Sequence, residues 1–139
     1  MSVSVLVPMD DSEPSWAALE YVLSSYPSAA ITVLYVVDTT NPMGYGDLFA
    51  PAVWHENAGD PGAELLAEAE RLAEGHGVEL EATTERGSPI RTIGDFTEEH
   101  GFDHVVMGSH RRTGLNRLFM GSVAERVVRR VSVPVTIVP

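Results

Sequence analysis

The chain has 139 residues, a formal net charge of −11, 44% hydrophobic and 21% charged residues, which is the size and balance of one globular domain, expected over 1–139. Its apolar runs are a handful of residues long, far short of the ~20 that span a bilayer, and it has no cysteine for disulfides, thiol nucleophiles or thiolate metal sites. The opening "MSVSVLVP" lacks the basic start of a secretory signal, so the expectation is a cytoplasmic protein with no membrane partner, and the acidity argues against nucleic acid as a partner.

Short apolar runs alternate with helical periods. "VSVLVP" (3–8) reads as a strand covered on both faces. "DDSEPSWAALEYVLSSYP" follows as a helix, with Ser12 as N-cap, Pro14 in the first turn and Trp16, Leu19 and Leu23 on one stripe. "AITVLYVVD" (30–38) is a second buried strand. Residues 39–62 have no clear period and are rich in glycine and proline; a connection of that length suits a lid or a binding loop. "AELLAEAERLAEGHG" is an amphipathic helix with Leu65, Leu66, Ala69, Leu72 and Ala73 on one face and Gly75 closing it. "VELEATTERGSP" contains a third strand, and "PIRTIGDFTEEHG" a helix through Ile90, Ile93 and Phe96. "FDHVVMGSH" is a fourth strand, "GSVAERVVRRVS" a helix with Val123, Val127, Val128 and Val131 inward, and "VPVTIVP" a fifth strand. Strict alternation predicts an α/β fold, a parallel sheet sandwiched by helices.

Open parallel sheets take ligands beyond the carboxyl ends of their strands, where strand order reverses. Two such ends are chemically loaded: "VPMDD" and "MGSHRRTG". Gly108 after "HVVM" allows a sharp turn and close approach to the backbone. In "GSVAE", Ser122 and Glu125 make a capping box whose helix start attracts anions, although a cap and a hinge at Gly121 would need the same residues. Asp10 and Asp11 suit Mg²⁺, a ribose hydroxyl or a plain helix entry. No lysine exists, so a P-loop is excluded; no G-x-G-x-x-G follows the first strand, and Gly101 separates His100 from His104, which disfavours a shared metal.

All nine basic residues are arginines. Six lie between Arg111 and Arg130 against the single acid Glu125, a local charge of +5 in a chain whose remainder carries −16. Such an island would draw an anion, or would be a basic helix face paired with acids elsewhere. The overall acidity also suits a halophile, because the Debye length shrinks to about 3 Å at 1 M salt; a GC-rich genome would equally favour arginine over lysine.

These blocks resemble the universal stress protein family: "VLVPMDDSEPSWAALEYVL", "VLYVVD", "ERGSPIRTIGDFTEEHGFDHVVMGSH" and "GLNRLFMGSVAERVVRRVSVPVTIVP". In the nucleotide-binding branch of that family this region has the pattern G-x2-G-x9-G-[ST], running from the end of the fourth strand into the last helix. The resemblance implies an open five-stranded parallel sheet of order 3-2-1-4-5, Rossmann-like, a homodimer through strand 133–138, and bound ATP, AMP or ADP, with Mg²⁺ as companion ion. It implies that Pro8 and Asp10, with Met9 between them, line the adenosine side and that Val36 contacts the base. Met107, Gly108 and Ser109 would begin the phosphate loop, His110, Arg111 and Gly114 continue it, and Gly121, Ser122 and Val123 hold the phosphates. Arg111 stands where the family has its second glycine. An arginine forced to positive φ there costs about 1 kcal/mol or more. Its side chain would either fill the phosphate space or pair with a phosphate.

Three functions therefore stand: a dimeric, nucleotide-binding stress-response sensor; a dimeric interaction module of the same fold without nucleotide; and a slow ATPase or self-phosphorylating protein with Ser109 or Ser122 as acceptor. No side chain has an evident general base beside it. The dimer has its own warrant, since "VPVTIVP" is an apolar edge strand that invites pairing, within the limit Pro134 sets.

Overall fold

The computed structural model describes residues 3–40, 62–109 and 122–139. Five strands and four helices alternate among them: β1 (Ser4–Met9), α1 (Glu13–Ser25), β2 (Ala30–Asp38), α2 (Ala63–Gly75), β3 (Leu80–Gly87), α3 (Pro89–Glu99), β4 (His104–Gly108), α4 (Ser122–Arg130) and β5 (Val135–Val138). The sheet is parallel throughout, in the order β3-β2-β1-β4-β5. The parallel sheet is what the alternating pattern predicts, and its order is the one the family resemblance implies.

Period-two alternation divides the strand side chains between two cores. Val5, Val7, Met9, Ile31, Val33, Tyr35 and Val37 pack against α1 and α2, with Val22, Leu65 and Ala69 among the helix residues they meet. Leu6, Leu34, Val36, Val105 and Met107 face the other way, against Ile93 of α3 and Ala124 and Val127 of α4. Each fully buried Leu or Val contributes about 1.5–3 kcal/mol.

Ser12 caps α1 as expected: its hydroxyl accepts from the Ser15 amide at 3.3 Å, and Pro14 lies in the first turn. One inward assignment changes. Val128 is 40% exposed, and Ala124 instead takes the buried place on α4. Trp16 keeps its place on the stripe, partly buried against the same core as Leu19 and Leu23, while its indole Nε1 donates to Asp11 Oδ1 at 2.9 Å.

Strand order reverses between β1 and β4, whose successors lead to opposite edges of the sheet. The β1–β4 ladder holds only Val5↔His104 and Leu6↔Val105, while β1 stays paired with β2 as far as Met9↔Tyr35. Beyond that, β2 continues along β3 to Asp38↔Gly87, so it outruns β1 at the carboxyl edge. The result is a notch at the end of β1, where Pro8 brings no N–H to the ladder.

Candidate functional site

At the β1 end, the two acids are engaged by the protein itself. Asp10 is buried, and its Oδ1 accepts from the Ser12 amide at 2.9 Å and the Ser12 hydroxyl at 2.6 Å. The Asp10 amide donates to Ser15 Oγ at 3.4 Å, and Ser15 Oγ donates to the Ser12 carbonyl at 3.0 Å. One carboxylate therefore orients the hydroxyl that caps α1, an Asx turn feeding an N-cap. Asp11 takes φ 71°, left-handed backbone that aspartate tolerates better than most residues, and the Trp16 indole holds its carboxylate. Of the open readings for this pair, helix entry is the one the hydrogen bonds support. Among the described residues no group of three or more His, Asp or Glu side chains gathers to hold a metal ion.

The β2 end repeats the device. Asp38 Oδ1 accepts from the Thr40 amide at 2.8 Å and the Thr40 hydroxyl at 2.6 Å, and the Thr39 amide donates to the Gly87 carbonyl at 3.2 Å. Sequence reasoning missed Asp38; the shared spacing Asp-x-Ser and Asp-x-Thr directly after two strands was the available signal.

The β4 end is built differently. Gly108 is the last residue of β4, paired with Val138, and its φ is not positive, so it does not serve the sharp turn expected of it. Its need for glycine is steric: a Cβ there would lie 2.5 Å from the Pro14 carbonyl carbon and 2.6 Å from the Ser15 amide nitrogen. The first turn of α1 rests on this strand end. Ser109 follows, 5% exposed, its amide donating to the Val138 carbonyl at 2.9 Å. Its hydroxyl is enclosed and has no hydrogen-bond partner among the described residues. A buried hydroxyl left in that state costs about 1–3 kcal/mol, so this one is poised for a partner that the described residues do not provide.

Of the expected site residues, Pro8, Val36 and Met107 lie on the α3–α4 side of the sheet. Val36 and Met107 are in that core, and Pro8 is in register with Leu34, which shares it. Continuing the Leu6↔Val105 register by two residues sets Pro8 beside Met107. Met9 faces the opposite core, and Val36 is fully buried in its own. Val123 is partly buried near the start of α4, which begins at Ser122. Glu125 does not make the reciprocal bond of a capping box; its Oε1 accepts from Arg129 Nη2 at 3.2 Å. His110, Arg111, Gly114 and Gly121 lie outside the described residues.

His104, at the opposite end of β4, packs edge-on against Tyr26 and lies 2.8 Å from Thr136 Oγ1. Burial pushes its pKa below 6.5. It is a packing residue, remote in the strand from the ligand edge.

Among the described residues no helix is long and apolar enough to cross a membrane. The sequence profile of the universal stress protein family matches residues 1–139. A universal stress protein of Methanocaldococcus jannaschii is 32% identical over 139 residues, covering 96% of this chain and 80% of its own length. Among solved structures, a universal stress protein in complex with cAMP superposes with a TM-score of 0.72 at 22% identity, covering 99% of this chain and 97% of its own. Another, from Archaeoglobus fulgidus in complex with dAMP, gives a TM-score of 0.68 at 22% identity, covering 100% of this chain and 98% of its own.

Proposed function

The chain belongs to the universal stress protein family, and we propose that it binds an adenine nucleotide, ATP or a relative, over the carboxyl ends of β1 and β4. The observation that carries this reading is the enclosed hydroxyl of Ser109 at the strand-order reversal, which has no hydrogen-bond partner among the described residues. A ligand oxygen there would satisfy it, and β1 beside it stops short of β2 at the carboxyl edge. Pro8, Met9 and Asp10 take the adenosine side in this reading and Val36 the side of the base, with Met107, Gly108 and Ser109 opening the phosphate loop and Gly121, Ser122 and Val123 meeting phosphates at the start of α4. His110, Arg111 and Gly114 belong to the same loop. Solved relatives of this fold holding cAMP and dAMP support the adenine preference.

The protein then acts as a cytoplasmic stress-response sensor in which the bound nucleotide sets the state of a homodimer joined through residues 133–138. Mg²⁺ accompanies the phosphates when ATP is the ligand. The test is to heat the purified protein, chromatograph what is released and titrate the refilled site by calorimetry at several salt concentrations. An adenine nucleotide in the released fraction, with saturable rebinding, is expected. Absence of both would end the nucleotide reading and leave a dimeric interaction module on the same fold.

A further inference from the structure

Four of the nine arginines meet outside the strand-end site. Arg91 on the first turn of α3, with Arg126, Arg129 and Arg130 on α4, borders a concave surface of about 550 Å³ that Ser88 and Ile90 complete. Two of these arginines have acids: Arg129 pairs with Glu125 at 3.2 Å, and Arg130 with Asp95 at 3.0 Å. Arg91 and Arg126 have no acid within ion-pair distance among the described residues. The chain has twenty acids for nine arginines, so this surplus of two positive charges does not arise from a shortage of carboxylates. Across the sheet the contrast is direct: a cavity of about 520 Å³ beside α2 is lined by Asp11, Glu64 and Glu68 against Arg71 alone.

The groove is also built to hold its charges in place. A Cβ on Gly94 would lie 2.5 Å from Arg130 Nε and 2.8 Å from its Cδ. Glycine inside α3 costs about 1 kcal/mol relative to alanine, and here it lets the Arg130 stem cross the helix towards Asp95. Ser88 occupies the N-cap of α3 without making a cap bond, which leaves its hydroxyl available. The first α3 bond runs from the Thr92 amide to the Ser88 carbonyl, so the Ile90 and Arg91 amides remain without intrahelical acceptors, and Pro89 has no N–H. No acid stands in that first turn.

We propose that this α3–α4 groove is a second anion site, which takes a phosphoryl group. A phosphoryl dianion carries about −1.5 to −2 at neutral pH, which matches the local surplus, and guanidinium forks recognise its oxygens in pairs. The hydroxyl of Ser88 and the first-turn amides of α3 add donors that a lone carboxylate would not need. The site is formed by helix side chains rather than by the ends of β1 and β4, so it stands apart from the proposed nucleotide site. Free phosphate and the polyphosphoryl tail of a small metabolite share this chemistry.

The full chain is titrated at low salt with inorganic pyrophosphate and, separately, inorganic phosphate, while the arginine Nε–H resonances are followed by NMR. Saturable shifts at Arg91 and Arg126 are expected. In the double variant Arg91→Gln, Arg126→Gln, binding should weaken at least tenfold with the unfolding midpoint unchanged. Arg126→Lys, which keeps charge and loses the fork, should fall in between. Pyrophosphate binding well above phosphate identifies a polyphosphoryl source, and equal binding identifies free phosphate. The same titration with AMP at saturation separates the sites: persistence of the shifts shows that the groove works whether or not the strand ends hold nucleotide. The proposal is overturned by absent or non-saturable shifts, by sodium chloride at equal ionic strength producing the same response, or by a double variant that binds as the parent does.

Discussion

The ends of β1 and β4 lie side by side in the sheet, yet they spend their polar groups differently. At the β1 end, Asp10 and Ser12 are joined to each other and to the start of α1, so the carboxylate has a structural role. At the β4 end, Gly108 is packed tightly enough to exclude any side chain, and Ser109 is left with a buried hydroxyl bonded to none of the described residues. The lesson is that polarity beside a strand end does not by itself mark a ligand contact. What matters is whether the fold already satisfies it.

That contrast can be broken by mutation. Gly108→Val should have the largest effect, about 3 kcal/mol or more of lost stability, because the new atoms meet α1 backbone rather than a yielding side chain; a denaturant midpoint equal to that of the parent would show that α1 does not rest on β4. Asp10→Ala should come next, at about 2 kcal/mol, since it removes an acceptor from two donors and loosens the α1 cap. Chemical unfolding measures it, and a near-neutral result would show that Ser12 caps α1 without the help of Asp10. Ser109→Ala should do the reverse: stability held to within about 0.5 kcal/mol, but adenine-nucleotide affinity reduced by about three- to tenfold, the worth of one hydrogen bond. If Ser109→Ala destabilises the chain as Asp10→Ala does, the two ends are alike and the comparison fails.

The smallest effect concerns pH. His104 has its pKa lowered by burial, so the folded state takes up its proton less readily than the unfolded chain. Its contribution to stability is therefore intact above pH 6.5 and is lost as pH falls through the depressed folded value. His104→Gln should flatten the pH dependence of the unfolding midpoint below that point while leaving nucleotide binding unchanged. A loss of binding would place His104 nearer the ligand than its position at the start of β4 allows.

Much of the architecture was legible in the residues. "VSVLVP" and "AITVLYVVD" announced strands covered on both faces, and Ser12 with Pro14 marked the start of α1. The inward face of α4 was harder to read: Val128 looks like core by type, but helical phase turns it outward and buries Ala124. Gly108 drew attention as a turn residue, but its steric need for glycine was not legible, because its neighbour in space is the backbone of Pro14, far away in sequence. The arginine island was visible as a run, but its partner Arg91 was not, since only the packing of α3 against α4 brings them together.

The sequence by itself determined the alternation of strands and helices, the cap of α1 and the excess of acid over base, all of which follow from local periodicity, local hydrogen bonding and composition. Tertiary structure alone decided which polar atoms were already satisfied: Asp10 Oδ1 by the Ser12 amide and hydroxyl, and Ser109 Oγ by none of the described residues. The physical reason is that desolvation and hydrogen-bond pairing depend on what surrounds a group in space, and a one-dimensional pattern carries the donor without its surroundings.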